Sequence, residues 1–355
     1  MTPQATPRPG PDAAKVNGQA VLAWGLASLF AALLAIILWL DREVFAAFFG
    51  DVGLSWAGLH GVWLGPFLVF SVVGALIASR RPRQPLGWLL LVAALASATG
   101  EALRMYAALE IGTATADPPT LAMLAKIPAE PLTVGGLVVG LVLIPVLFPT
   151  GTLPSRRWRF LPWAAGGFLA TFLVGSVLDP QLRYELTSPG GIRTTIYEVA
   201  NPWSPDWFQR LDAQLPGEGL ALIGDALALL LPAFILVAGI AVTLRFRGST
   251  GPRRQQMKWF VSAAAVVVLA AISQVVLAAV AGPVASPLAR VLLVAGLSAY
   301  PIAIGIAVLR YRLYEIDRII SRTVSYGLVI AILGGVYAGA VISLGAAVSA
   351  ITGAE

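Results

Sequence analysis

An all-α, polytopic bundle of transmembrane helices is the fold class this sequence predicts, and three observations predict it. The composition is 58% hydrophobic and only 12% charged, with a mean hydropathy of +0.82, far from soluble domains and within the range of membrane proteins. Apolar runs recur at the length a bilayer demands, since a hydrocarbon core of ~30 Å takes about 20 helical residues. Between those runs, Lys and Arg gather in every second interval, the arrangement that sets topology. The same composition excludes whole classes of function. With no cysteine in the chain, disulfides, thiolate metal sites and thiol catalysis are out. His60 is the single histidine, so no multi-histidine metal site is available. The net charge of +6 is spread over short loops instead of lining one groove, so no nucleic-acid partner is expected.

Met1 to Gly18 is rich in Pro, Ala and polar residues without apolar periodicity and reads as a disordered cytoplasmic tail, residues 1–18. A bundle over residues 19–309 follows. Its first span is Ala20–Leu40, 21 residues without a charge, too long for a secretory signal and without a cleavage site. Further spans are expected at His60–Ser79, Leu86–Leu109, Leu132–Phe148, Phe160–Leu178, Gly219–Leu244, Trp259–Ala281, Leu288–Leu309 and Val324–Ala350. That makes about nine, with eight and ten as the bounds. The fourth, LTVGGLVVGLVLIPVLF, is short and Gly-rich and is a poor candidate for a simple straight helix. Its GGLVVG, Gly135–Gly140, lies inside a span and not after a strand, so it serves helix packing and not dinucleotide binding.

Orientation follows from the basic residues. With the N-terminus in the cytoplasm, the inner segments hold 17 of the 24 Lys and Arg, as the retention of positive loops on that side requires. Nine spans then leave Glu355 outside, so the last span, residues 324–355, is expected to be followed by a further span and an output domain in a longer protein.

The outer loop, residues 179–218, contains Ser204-Pro205-Asp206, which has the composition of a helix start: hydroxyl at the N-cap, proline at the first position, carboxylate at the positive end. Trp207, Phe208, Leu211 and Leu215 share one face of the helix that follows and predict a short element lying in the outer interface.

Inside the spans a few polar residues mark a possible sensing cavity. Glu101 and Arg104 are three apart and neighbours on one helix face. A charge at membrane depth costs ~2.5–3.5 kcal/mol, which pairing lowers. Asp225 is a possible acidic partner of Arg104, and Gln274 is a mid-span group suited to an interhelical hydrogen bond. No paired catalytic carboxylates, nucleophile sets or metal-spaced ligands occur, and no cofactor is expected.

Between the last two spans lies Arg310–Gly327, RYRLYEIDRIISRTVSYG. Wound at about 100° per residue, Leu313, Ile316, Ile319 and Ile320 share one face, and Glu315, Arg318 and Arg322 the other. Residues 310–323 are therefore expected as a cytoplasmic amphipathic linker helix, its mixed charges carried by Arg310, Arg312, Glu315, Asp317, Arg318 and Arg322 beside Tyr314. Its arginines also suit lipid head groups.

This stretch resembles the RYRLYDIDR-(I/V)-INRTLVYG segment in the multi-span membrane region of bacterial, often actinobacterial, sensor histidine kinases. Two further strings are similar to segments of the same regions and come in the same order. FPTGTLPSRRWR, Phe148–Arg159, has Thr152 where arginine is usual, and GPRRQQMKWF, Gly251–Phe260, has Arg254 where glutamate is usual. In the linker, Ser321 stands for the usual asparagine and Glu315 for aspartate. The resemblance covers roughly Trp63 to Ser349. It implies a sensory and anchoring module of a two-component system in the bacterial plasma (inner) membrane, in contact with the lipid bilayer and paired as a homodimer. It also implies a cytosolic kinase or response-regulator output where the chain continues. Nothing in these residues supplies a phospho-acceptor helix or an ATP-binding domain, so the chain itself phosphorylates nothing. The alternatives are a small-molecule membrane transporter, for which inverted repeats and charged or broken midplane helices are expected, and a structural membrane scaffold.

Overall fold

The structure, a computed structural model, describes residues 11–49, 62–115, 117–187, 193–212, 214, 230–281 and 286–309. In chain order the elements are α1 (Pro11–Phe49), α2 (Gly65–Arg80, entered through a 3-10 turn at Val62–Leu64), α3 (Pro85–Gly112), α4 (Thr120–Leu147), α5 (Phe160–Leu178), β1 (Gln181–Thr187), β2 (Arg193–Ala200), α6 (Asp206–Asp212), α7 (Leu230–Arg247), α8 (Gly251–Ala281) and α9 (Ser286–Leu309). Among the described residues, α1, α3, α4, α5, α7, α8 and α9 are long and apolar enough to cross a membrane. The 16 residues of α2 are apolar but shorter. The molecule is thus mostly helical and multi-pass, as expected.

Several bounds depart from the sequence reading, each for a local reason. Helix α1 starts at Pro11, so the second half of the expected disordered tail is helical. The fourth span is longer than expected, because the helix begins at Thr120 and carries Pro128 and Pro131 inside it; in a packed bundle neighbouring groups take up the carbonyls that proline leaves free. Helix α8 starts at Gly251, so most of GPRRQQMKWF, expected to precede the span at Trp259, forms its first turns. The largest departure is in the outer loop, where β1 and β2 form an antiparallel hairpin in a chain read as all-α. Residue His60, the ninth span and the 310–323 linker lie outside the described residues.

Helix α3 is the most buried of the seven and packs on α1, α2 and α4; α2 in turn meets α9, α9 meets α8, and α4 meets α5. Small residues bring α3 and α4 together. A Cβ on Gly100 would stand 2.5 Å from the Ala129 carbonyl, and one on Gly136 would stand 2.6 Å from that of Ala93.

The connections 81–84, 148–159 and 248–250 all lie at one end of the bundle, which is rich in arginine. Gln84 Nε2 donates to Pro149 O at 2.8 Å. Arg245 donates to the Phe148 carbonyl and, at 2.7 Å, to Thr152 O. Gly151 has φ +78°, and a Cβ there would meet Pro85 at 2.5 Å, so this turn requires glycine twice over. Phe148 stacks on Phe260 at 4.6 Å, and Gln256 Nε2 donates to Ala307 O near the end of α9 at 2.9 Å.

The hairpin covers the opposite end. Leu182, Tyr184 and Leu186 alternate inward and are buried, while Glu185 is exposed, the period of two expected of a strand with one covered face. Register shifts between Tyr184 and Glu185, leaving Ile196 as an extra residue. This bulge turns Ile196 and Tyr197 together into the core. Side chains then fasten the hairpin to α5. Asn201 Nδ2 donates to Val177 O at 3.0 Å and to Asp179 O at 2.7 Å, and Ser204 Oγ donates to Leu178 O at 2.7 Å. These are carbonyls that a helix end leaves without partners.

Candidate functional site: a cavity inside the bundle

A cavity of about 290 Å³ lies among α1, α2, α3, α4 and α9, at the lower end of the ~300–1,000 Å³ range of small-molecule sites. Its walls are largely apolar, with Ile37, Phe67, Phe70, Leu137, Leu141 and Leu297 among them, and Glu101 and Arg104 stand at its polar end with Ser97 and Thr133.

The polar end is built by helix periodicity. Ser97, Glu101 and Arg104 fall at i, i+4 and i+7 on α3, one face of the helix. Arg104 is paired with Glu101; the carboxylate side chain is 8% exposed and the arginine 23%. A pair withdrawn this far from water holds together because removing either partner strands the other charge. Its surroundings extend the cluster. Lys126 and Glu130, one turn apart on α4, lie within electrostatic reach of Arg104. Asp41 of α1 is buried close enough to act on Tyr184.

The hairpin closes this end. The Tyr184 ring lies 5.7 Å from the Arg104 guanidinium and 5.8 Å from Lys126 Nζ, distances at which a ring face attracts cations. Tyr197 packs beside it at 6.3 Å. Burial pushes both phenols above their ordinary value, with Arg104 pulling back in each case.

At the other end of the cavity the α4 helix changes winding. Val139–Leu143 is a π turn, in which the Ile144 N–H reaches Val139 O. The next donor in that register is residue 145, a proline, which has no N–H. Gly140 O would be left unsatisfied inside the protein, and the Tyr300 hydroxyl of α9 donates to it at 2.9 Å. Tyr300 also lines the cavity, its ring tilted against Phe70 at 5.8 Å and edge-on to Phe260 at 5.3 Å. Such single π turns inside α-helices recur at functional sites.

Two of the four residues expected in a sensing cavity are therefore together at one: Glu101 and Arg104. Asp225 and the side chain of Gln274 lie outside the described residues. In the outer helix, α6, Trp207 is 59% and Leu211 43% exposed while Phe208 is half-buried, edge-on to the Trp207 ring at 5.3 Å; Leu215 lies outside the described residues. Ser204 is not its N-cap. The helix starts at Asp206, so Pro205 holds the cap position and the Ser204 hydroxyl serves α5 instead. The residues missed from sequence are Lys126, Glu130, Tyr184, Tyr197 and Tyr300. The i, i+4 spacing of Lys126 and Glu130 was a helix signal, and L-x-Y-x-L followed by Ser188-Pro189-Gly190-Gly191 and a β-branched run was a hairpin signal.

No protein-family model, curated protein or solved structure matches this chain. What fold and site define is a class: a multi-pass helical membrane protein with a cavity inside its bundle, polar at one end and capped there by a β-hairpin.

Proposed function

We propose that this chain is the membrane-embedded sensory and anchoring module of a bacterial sensor histidine kinase. It crosses the plasma membrane nine times from a cytoplasmic N-terminus and acts as a homodimer. A stimulus arriving from the outer face or the bilayer alters the bundle around the cavity, and the linker 310–322 passes the change to a cytosolic kinase or response-regulator output.

The observation that carries this reading is the course of α9. Tyr300 holds the cavity wall, and Ala307, two turns further along the same face, is hydrogen-bonded by Gln256. The linker begins three residues later. A rod held at both points transmits displacement if it has two arrangements that the stimulus distinguishes energetically. The two family-like strings that the structure describes also support the reading, because Phe148 of one stacks on Phe260 of the other, and Phe260 in turn meets Tyr300 of α9.

The test uses the absence of cysteine. Spin labels at Ser155→Cys and Tyr314→Cys in lipid nanodiscs are expected to show two distances whose ratio shifts when Leu137→Trp fills the cavity. One distance indifferent to the cavity, together with gradient-driven solute accumulation in proteoliposomes, would replace sensing with transport.

A further inference from the structure

Deepening that reading and resting on it, we infer that the cavity binds a neutral, lipid-soluble molecule with a hydrogen-bond-accepting head, of the chemistry of an ester or ketone carbonyl. The head sits at the Glu101–Arg104 end and the apolar body lies among Phe67, Leu137 and Leu297.

Three observations select this class. The first is the route of access. Tyr184 over Arg104 and Lys126 closes the cavity toward the hairpin end, whereas Leu137, Leu141 and Leu297 on its flank are only half-buried. That flank belongs to apolar spanning helices, so a solute dissolved in the bilayer reaches it and a water-borne one does not. The second is the charge. Among the residues that line the cavity, Glu101 and Arg104 cancel each other, and the further charges of the cluster, Lys126, Glu130 and Asp41, stand behind them, outside its lining. An anionic head would add a second negative charge beside Glu101, and a cationic one would face Arg104. In surroundings of low dielectric neither is screened, and a neutral head meets neither penalty. The third is the unspent donor. Arg104 lines the cavity; its Nη2 is taken by Glu101, and its Nε, enclosed behind the cavity wall, has no hydrogen-bond partner among the described residues. A guanidinium with capacity left calls for an acceptor.

The same geometry says what occupancy does. A body that fills the space beside Tyr300 braces the wall that the Tyr300–Gly140 hydrogen bond already holds, and so biases the position of α9 relative to the π turn of α4.

The experiment reads binding alone. The full chain, in nanodiscs of phosphatidylethanolamine and phosphatidylglycerol, is irradiated with three photoactivatable alkyl probes of one length that carry a methyl ester, a carboxylate or a trimethylammonium head. The ester is expected to label peptides containing Phe67, Leu137 and Leu297, and an excess of unlabelled ester to suppress that labelling. Leu137→Trp should abolish it, with Leu297→Phe as the milder filling should the tryptophan prevent folding. In Glu101→Gln/Arg104→Gln, which strands no charge, the preference for the ester over the other heads should fall by about tenfold. Equal labelling by all three probes overturns the inference. So does labelling that is spread over the most exposed side chains, such as Trp163 and Leu236, or labelling unmoved by both filling variants. An ester site without any response of the label at residue 314 keeps this inference and removes the sensory reading; a responding connector without an ester site does the reverse.

Discussion

At the scale of single residues, Gly140 shows how one backbone carbonyl ties two helices. Pro145 cannot serve it, and Tyr300 does so from 160 positions away in the chain. Tyr300→Phe is therefore expected to cost about 1 kcal/mol in a detergent unfolding titration. In a Pro145→Ala background, where an N–H is supplied, the same change should cost much less. Equal costs in the two backgrounds would show that the hydroxyl is not answering the missing proline donor. Tyr184 and Tyr197 offer a different reading of burial. Their phenols hold the proton more tightly folded than unfolded, so the stability they lend is whole below the ordinary value of about 10 and is lost as pH rises above it. In ultraviolet titration of the folded protein, Tyr184→Phe and Tyr197→Phe should each remove one late-titrating phenol. Titration of every phenol near pH 10 would mean that the hairpin does not shield them.

Among the elements, α3 and α4 pack closest where side chains are smallest. Gly100→Ala places a methyl 2.4 Å from Thr133 Oγ1 and 2.5 Å from a backbone carbonyl, which a side-chain rotation cannot relieve, and should destabilise by about 1–3 kcal/mol. Gly166→Ala on α5 meets nothing within 4 Å and should gain up to about 1 kcal/mol from helix propensity alone. Melting temperatures moving in opposite directions check the pair. This contrast also marks what was legible. Hydropathy located α5 at Phe160–Leu178 residue for residue, because that run is uniform and closed at both ends. It could not locate the start of α4, where Pro128, Pro131, Lys126 and Glu130 read as loop when only local preference is weighed. The hairpin was legible in principle from its alternation, but strands of 7 and 8 residues carry little signal beside apolar runs of about 20. The Glu101–Arg104 pair was readable from its spacing, but its partners come from α4 and the hairpin, and no periodicity within one segment can bring those together.

The whole molecule is sorted by its charges. The connections beside α2 and α3, α4 and α5, and α7 and α8 carry Arg80, Arg81, Arg83, Arg156, Arg157, Arg159, Arg245, Arg247, Arg253 and Arg254 at one end of the bundle. The hairpin and α6 occupy the other. Translocating ten guanidinium groups is far more costly than translocating a hairpin whose polar groups are already paired, which is the argument for the proposed orientation with the arginine-rich end in the cytoplasm. The prediction is made on two exposed threonines of a chain without cysteine. Thr250→Cys, between α7 and α8, should react with a membrane-impermeant maleimide only once cells are opened. Thr195→Cys, on the outer strand of the hairpin, should react in intact cells. The reverse pattern would invert the molecule, turn its cavity end toward the cytosol and remove the path by which α9 delivers the linker to an output. Reaction of both in intact cells would be worse still for the span assignment, since α7, the span between them, would then fail to cross. Replacing Arg156, Arg157 and Arg159 with glutamine sharpens the test: if these charges hold the end in place, a fraction of Thr250→Cys molecules should become reactive from outside, while Thr195→Cys loses the same fraction.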